Sequence, residues 1–280
     1  MNDIAADIRD WTFETALPWW SANGLDREHG GYVEQFTLDG QPANVAFKRT
    51  RVTCRQIYVF SHAALLGMDQ GEELARHGFD YLTRKMWVGP DQGFARTTTR
   101  EGALLDTTAD LYDDAFALFA LGWYLRASGD RQALDWAHRT LDAIEAKLRY
   151  PSGEGFWHEA PPKGWRQQNP HMHLIEASLA LYEASKDERF AALARQIADL
   201  FQTKFFDLRS NTLAEFFNDD WSRAPGDAGR TIEPGHQFEW AWILMNCKRL
   251  LGLDLSNEIR GLVKFGEAHG VDHATGVTFN

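Results

Sequence analysis

Two histidines of the sequence share a local pattern in which a glutamate follows three residues later. The pattern His-x-x-Glu occurs at His173–Glu176 and again at His236–Glu239. On a helix this spacing places both side chains on one face, where the carboxylate orients the imidazole and raises its pKa. Such a pair can transfer a proton to or from a substrate. One such histidine alone is more often a satisfied, partly buried polar residue, whereas the recurrence of the pattern favours a catalytic site.

Loops rich in glycine and aromatic residues recur along the chain about every 60 residues. They are centred at Gly31, Gly93, Gly155, Thr212 and Gly276. Their β-rich centres predict short hairpins. Between them the apolar periodicity predicts amphipathic helices, two in each period, at residues 4–22, 45–67, 70–86, 107–128, 131–148, 170–185, 188–205, 236–252 and 255–268. A repeated two-helix unit of this length predicts an all-α toroid of the (α/α)6 barrel type.

The length of the chain limits how many of these units it holds. Six units would need about 360 residues, so a chain of 280 residues supplies about four and a half. We therefore expect residues 1–280 to form a single (α/α)-barrel domain that is incomplete at its C-terminal end. An open ring would expose apolar helix faces and favour self-association.

Four polar residues occupy equivalent positions in the repeat. Tyr112, His173 and His236 lie 61 and 63 residues apart, and Arg55 precedes Tyr112 by 57 residues. In a toroid the helices that follow the long loops are the inner ones, and their N-terminal ends face one mouth. These side chains are therefore predicted to converge on one cavity. Asn169, which precedes a proline, is expected to be the N-cap of its helix; it either only caps the helix or also contacts a ligand at the rim of the cavity.

Composition and charge exclude several classes of function. Acidic residues outnumber basic ones by 40 to 29, which gives a net charge of −11 and disfavours nucleic-acid partners. The sequence lacks an apolar run of about 18 residues and a signal-peptide pattern at its start, so we expect a cytoplasmic protein without membrane association. Cys54 and Cys247 lie in apolar helical stretches and predict neither a disulfide nor a zinc site. No glycine-rich phosphate motif indicates a nucleotide cofactor.

Metal binding and glycoside hydrolysis are the alternatives to proton transfer by histidine. His171 and His173 would point about 200° apart on a helix and cannot share a metal. The two His-x-x-Glu helices resemble half of a di-iron bundle, but the second carboxylate pair is missing. Asp113 and Asp114 diverge by about 100° and cannot flank one glycosidic bond, and Asp110 and Asp114 share a face, either solvated or paired with arginine. The prediction is a site without metal.

Three segments of the sequence carry a resemblance to a known family. They are Thr53-Cys-Arg55-Gln, Asn169-Pro-His-Met-His173-Leu-Ile-Glu176 and Arg230-Thr-Ile-Glu-Pro-Gly-His236-Gln-Phe-Glu239-Trp240. Together they resemble the N-acylglucosamine 2-epimerase superfamily, and the sequence motif around His236 is most similar to its mannose isomerase and sulfoquinovose isomerase branches. The resemblance covers essentially the whole chain. It implies an (α/α)6 barrel, no metal, and proton transfer between C1 and C2 of an opened sugar.

The resemblance also implies a role for each site residue. His236 would be the general acid/base, oriented by Glu239, and His173 would assist ring opening or proton shuttling with Glu176 behind it. The residues implied to hold hydroxyls and stabilise oxyanion charge are Arg55, Tyr112, Asn169 and Arg230. The implied substrate is a monosaccharide, which we expect to be unphosphorylated, no cofactor is implied, and a homodimer is the family-level expectation.

One feature departs from the family pattern. Family members carry a further catalytic histidine on a late helix, and the equivalent phase after His236 would fall at about position 299, beyond Asn280. His269 and His273 lie at the wrong phase to replace it. Losing a positioned acid or base lowers turnover by about 10²–10⁴-fold. An incomplete chain is therefore expected to turn over slowly.

Several functions are consistent with these patterns. The leading hypothesis is an aldose–ketose isomerase that converts mannose to fructose through an enediol. An N-acylglucosamine or other sugar 2-epimerase would share the intermediate. A glycoside hydrolase or unsaturated-uronyl hydrolase on the same toroid would need carboxylates at the cavity floor. A sugar-binding scaffold without turnover is the fourth hypothesis.

Overall fold

Helices dominate the computed structural model, which describes residues 4–279. Within these residues the α-helices are α1 (Ile4–Trp11), α2 (Leu17–Asn23), α3 (Thr50–Leu65), α4 (Gly71–Tyr81), α5 (Leu111–Ser128), α6 (Arg131–Leu148), α7 (Asn169–Ser185), α8 (Glu188–Leu200), α9 (Pro234–Leu251) and α10 (Ser256–Gly270). Single π-helical turns join α1 to α2 and extend α4 and α8, at Thr12–Ala16, Leu82–Met86 and Phe201–Phe205. Every helix predicted from the periodicity is present. In the part of the chain described, no helix is long and apolar enough to cross a bilayer.

Short antiparallel strands occupy the loops between the helices. They are β1 (Phe47–Arg49), β2 (Trp87–Gly89), β3 (Gly93–Phe94), β4 (Thr97–Thr99), β5 (Leu104–Asp106), β6 (Ala109–Asp110), β7 (Glu159–Ala160), β8 (Arg166–Gln167), β9 (Phe206–Asp207), β10 (Thr212–Leu213), β11 (Phe216–Phe217), β12 (Val271–Asp272) and β13 (Val277–Thr278). Strands β1, β4 and β5 form one sheet in the order β1-β4-β5, and the others pair as β2-β3, β6-β7, β8-β11, β9-β10 and β12-β13.

The helices form an inner and an outer set. Helix α5 packs between α3 and α7, and α9 packs against α7, whereas α4, α6, α8 and α10 pack mainly against the inner helix that precedes each of them. The outer helices are amphipathic, and α6 buries one face that includes Ala133, Ala137, Leu141 and Ile144. Inner helices α5 and α7 are buried on most of their circumference. This is the burial expected of helices covered on both sides.

Each outer helix is followed by a tight antiparallel turn, as the sequence predicts. The turns after α4, α8 and α10 are the hairpins β2-β3, β9-β10 and β12-β13. Single bridges, Leu25 with Tyr32 and Arg149 with Phe156, close the turns after α2 and α6. The unit of two helices and a hairpin therefore repeats through residues 4–279.

Helix starts are where the sequence predictions are least accurate. Helix α3 begins at Thr50 rather than at residue 45, because Phe47–Arg49 pairs with Thr97–Thr99. Helix α5 begins at Leu111 rather than at 107, because the two preceding residues pair with β7. The N-cap prediction for Asn169 is wrong by one residue. Gln168 already has helical dihedral angles and occupies that position, so Asn169 is the first residue of α7.

Three inner helices hold the hairpin that precedes them through a polar side chain in their first turn. Each side chain is completely or almost completely buried and accepts a hydrogen bond from a hairpin N–H. The pairs are Asp114 with Phe94 at 3.0 Å, His171 with Phe156 at 3.0 Å and Gln237 with Leu213 at 3.3 Å. Satisfying these buried amides fixes each hairpin over the N-terminal end of an inner helix.

Gly155 lies so close to one of these contacts that we expect alanine there to destabilise the fold. Its φ is +74°, and a Cβ would lie 2.9 Å from His171 Nε2. We predict that Gly155→Ala lowers the free energy of unfolding, measured by urea denaturation, by about 2 kcal/mol or more. Gly153→Ala is the control: its φ is +80°, but its Cβ would meet no described atom within 4 Å. Equal losses for the two variants would contradict the packing argument.

The contact made by His171 predicts a pH dependence of stability. Its Nδ1–H donates to the Gln167 carbonyl at 2.9 Å and Nε2 accepts from Phe156, while burial lowers the pKa of His171 to about 3. In the unfolded chain the pKa of His171 is near 6.5, so below that pH the unfolded chain binds a proton that the folded chain does not bind. The folding stability that is fully present above pH 6.5 is therefore lost as the pH falls towards 3. His171→Gln keeps an acceptor, as Gln237 does on α9. We expect wild type to lose about 2 kcal/mol more than this variant between pH 7 and pH 5, and parallel curves would contradict this.

Candidate functional site

Side chains from three inner helices meet at one end of the helical array. Arg55 on α3 donates from Nη2 to the Tyr112 hydroxyl on α5 at 3.0 Å. The Tyr112 ring meets the His173 ring on α7 edge-on, with 4.8 Å between centroids. Phe116 lies beneath them, 4.7 Å from the His173 ring and 4.2 Å from the Arg55 guanidinium. The equivalent repeat positions of Arg55, Tyr112 and His173 are thus adjacent in space.

His173 lies beside two carboxylates from different helices. Its Nδ1 is 3.4 Å from Glu176 on the same helix and 3.8 Å from Glu239 on α9. Burial raises the pKa of Glu239, Glu176 adds to that effect, and His173 opposes it. His171, two residues earlier, is bound to the hairpin, so these two histidines face different surroundings.

His236 has a different carboxylate partner from the one predicted. Its Nδ1 lies 2.9 Å from Glu215 and its Nε2 lies 3.4 Å from Glu233. Burial alone would lower the pKa of His236, but the hydrogen bond and charge of Glu215, with Glu233 and Glu239 in support, raise it overall. The prediction that Glu239 orients His236 is wrong in this geometry, because Glu239 lies against the imidazole of His173.

Glu215 is a site residue that the sequence reasoning missed. It lies in the loop between β10 and β11 and is almost completely buried. Glutamate is rarely buried unless it is paired. The sequence does contain a signal for this residue. Glu215 is an acidic residue inside the apolar run Leu213-Ala-Glu215-Phe216, which indicates a buried and paired carboxylate.

Asn169 and Arg230 have contrasting positions. Asn169 Oδ1 is buried and has no hydrogen-bond partner among the described residues, so its capacity as an acceptor is unused. Arg230 lies in the short 3₁₀ turn Ala228–Arg230, its side chain is 75% exposed, and its ion-pair partner is Asp227. The structure therefore brings Asn169, but not Arg230, to the cavity beside Tyr112.

That cavity has a volume of about 510 Å³ and is lined mainly by polar side chains, among them Asn169. Arg51 makes two bonds to buried Asp113, at 2.9 and 2.8 Å. Arg96 pairs with Asp110 at 2.6 Å. Of the two environments predicted for Asp110, solvation or pairing with an arginine, the structure shows the arginine pair. Because both arginines are compensated by carboxylates, neither is a free anion site.

Comparison with known proteins identifies the family. The model for N-acylglucosamine 2-epimerase (GlcNAc 2-epimerase) matches residues 31–280. The chain belongs to the N-acylglucosamine 2-epimerase family. It is thereby a member of a family of carbohydrate isomerases and epimerases.

Individual relatives of this family member carry isomerase and epimerase names. The chain is 35% identical to mannose-6-phosphate isomerase of Rhizobium meliloti, over 95% of this chain and 70% of the relative. It is 28% identical to cellobiose 2-epimerase of Bacteroides fragilis, over 89% of this chain and 67% of the relative. Among solved structures, cellobiose 2-epimerase from Bacillus thermoamylovorans superposes with a TM-score of 0.87 at 25% identity, covering 97% of this chain and 74% of that one. The chain spans about two thirds of the length of these curated relatives.

Within residues 4–279 of this family member, two groups have the donor atoms of a metal site. His173, Glu176 and Glu239 form one, and Glu215, Glu233 and His236 form the other, each with its donor atoms within 4.8 Å of one another. Imidazole and carboxylate suit several divalent ions, but a proton on His236 would compete with a metal. The metal-free site stays a prediction, and metal analysis of the purified protein tests it, since stoichiometric zinc, iron or manganese would contradict it.

Proposed function

We propose that this site isomerises an unphosphorylated aldose, converting mannose to fructose by moving a proton between C1 and C2 of the opened sugar. The observation that carries the proposal is that two carboxylate-flanked histidines lie on the adjacent inner helices α7 and α9. Glu239 lies 3.8 Å from His173, and its charge also acts on His236. Two neighbouring proton-transfer groups are what an enediol route needs, because one proton moves on carbon and others move on oxygen.

In the proposed reaction His236 removes the proton from C2 of open-chain mannose while the C1 carbonyl oxygen gains a proton. The resulting enediol receives the carried proton at C1, loses the O2 proton, and becomes fructose. His173, backed by Glu176, opens the ring and transfers the oxygen-bound protons. Donors aimed at a developing oxyanion lower the barrier, and we assign that role to Arg55 and Tyr112.

The assignments of Asn169 and Arg230 to substrate binding, and of an unphosphorylated substrate, are each supported by a different observation. The unpaired Oδ1 of Asn169 supports hydrogen bonding to a sugar hydroxyl. Arg230 is assigned to substrate from the family pattern, and a conformational change of its exposed turn would be needed to bring it to the sugar. The carboxylate-compensated Arg51 and Arg96 support an unphosphorylated substrate.

A sugar 2-epimerase is the second candidate, favoured by the TM-score of 0.87 to a cellobiose 2-epimerase. It would use the same enediol, with the proton returned to the opposite face of C2. The same similarity supports our inference that the helical repeat belongs to an (α/α)6 barrel.

Product analysis by ¹H NMR separates these activities. Mannose, mannose 6-phosphate, glucose, fructose, cellobiose and N-acetylglucosamine are each incubated with the 280-residue chain and with any longer natural form of it. We expect mannose and fructose to interconvert, with mannose 6-phosphate a poorer substrate. Epimers without ketose would replace the proposal with the second candidate. No product from any sugar, with folded protein, would contradict both.

A further inference from the structure

A buried hydrogen-bond chain approaches His236 from the neighbouring repeat. Strand β8 pairs with β11 so that Gln167 lies opposite Phe216. The next residues on either side, Gln168 and Glu215, continue this pairing, because the Gln168 N–H donates to the Glu215 carbonyl at 3.2 Å. Two residues 47 positions apart thereby present their side chains together beside the start of α9.

Trp240 fixes the direction of the hydrogen bonds in this chain. Its indole Nε1–H, which can only donate, reaches Gln168 Oε1 at 2.6 Å. The Gln168 amide is therefore oriented with Nε2 towards Glu215 Oε2, at 2.8 Å. The same carboxylate oxygen lies 2.9 Å from His236 Nδ1. Gln168 and Trp240 are 0% exposed and Glu215 is 3% exposed.

These contacts decide which nitrogen of His236 carries the proton when the ring is neutral. A carboxylate oxygen and an unprotonated ring nitrogen at 2.9 Å would both be acceptors and repel each other. With the proton on Nδ1 the contact becomes a charge-assisted hydrogen bond. The Gln168 Nε2 contact to the same nitrogen is longer, at 3.2 Å, and Nε2–H is already donated to Glu215.

We propose that Glu215, held by Gln168 and Trp240, is the positioning residue that keeps neutral His236 in the Nδ1–H form, with the Nε2 lone pair available to the substrate. The catalytic use of that lone pair rests on the proposed function. Glu233, the neighbour of Nε2, is 52% exposed in its side chain, which distinguishes it from the buried carboxylate on Nδ1. Glu239, on the helix of His236 itself, does not serve this role because it lies against His173.

Glu215→Leu tests the assignment by removing the acceptor while keeping a side chain of similar size. Gln168 Nε2, which loses its bond to Glu215 in this variant, would donate to His236 Nδ1, 3.2 Å away. That contact needs Nδ1 as an acceptor, so the neutral ring should change to the Nε2–H form. Glu215→Gln is the conservative control, because one oxygen of Glu215 contacts both Gln168 Nε2 and His236 Nδ1 and an amide oxygen in that position keeps both bonds. ¹⁵N NMR of histidine-labelled protein distinguishes the two forms directly, and the His236 signals are assigned by their loss in His236→Ala.

The NMR experiment requires no substrate, so its outcome is independent of whether a sugar is turned over. We expect Nδ1–H in wild type, Nε2–H in Glu215→Leu, and Nδ1–H in Glu215→Gln and in the matched variant Glu233→Gln. An Nε2–H form in folded wild type, or an unchanged form in folded Glu215→Leu, would overturn the proposal. Absence of turnover in wild type would instead overturn the proposed function.

Steady-state kinetics provide a second test of the role of Glu215. If the lone pair on Nε2 is the base, Glu215→Leu should lower kcat by about 10²-fold or more with little change in KM, as expected when a wrong tautomer blocks a base, and Glu215→Gln should lower kcat less. The raised pKa of His236 depends on Glu215, so the acid limb of any remaining kcat/KM profile should move to lower pH. Unchanged kcat and acid limb, with active wild type, would contradict a positioning role for Glu215.

Discussion

His236→Ala is expected to lower kcat/KM for sugar isomerisation by about 10²–10⁴-fold while the fold is retained. The imidazole is the group that would exchange the carbon-bound proton, and alanine offers nothing that titrates near neutral pH. The fold should persist because Glu215 keeps its bond from Gln168 at 2.8 Å. Steady-state kinetics with the sugar found active, together with urea denaturation, measure both quantities.

A histidine outside the site provides the control for this variant. His138 on α6 pairs with Asp187 at 2.7 Å and lies on an outer helix. His138→Ala should keep wild-type kcat/KM, because it removes an imidazole without touching the cavity. Wild-type turnover in His236→Ala would end the assignment of His236 as the acid/base.

His173→Ala is expected to lower kcat by about 10²-fold and to raise KM less. His173 is packed between Tyr112 and Phe116 and lies beside Glu176 and Glu239, so we expect it to move a proton rather than only to hold one hydroxyl. A group that acts in the transition state affects kcat, whereas uniform binding affects KM.

The comparison for His173 is Tyr112→Phe, which keeps the ring packing and removes only the hydroxyl that accepts from Arg55. It should cost less in kcat than His173→Ala. If the effect of His173→Ala is confined to KM, His173 is a binding residue and the two-histidine mechanism is wrong.

Repetition explains why much of the fold was predictable from the sequence. The helix period and the glycine-rich turns repeat together, so Gly93 and Gly155 mark equivalent hairpins without any knowledge of long-range contacts. The starts of α3 and α5 were predicted too early, because strand pairing between distant loops replaces the first helical turns. Periodicity within one segment carries no information on such pairing.

The site was predictable where its residues share the phase of the repeat. Arg55, Tyr112 and His173 lie on successive inner helices at equivalent heights, and they are in contact. Glu215 was not predictable in the same way, since the β8-β11 pairing brings it to His236 from a loop. The i,i+3 rule correctly paired His173 with Glu176, but it could not foresee that α9 turns Glu239 towards α7.

The most direct test of proton transfer by His236 follows solvent deuterium during turnover. Mannose is incubated with the protein in D₂O, and the recovered fructose is analysed by NMR and mass spectrometry. If protonated His236 exchanges with solvent before it returns the proton to the enediol, fructose should carry deuterium at C1, and His236→Ala should abolish both this incorporation and fructose formation. Fructose formed by folded His236→Ala at the wild-type rate, with or without deuterium, would contradict histidine-mediated proton transfer.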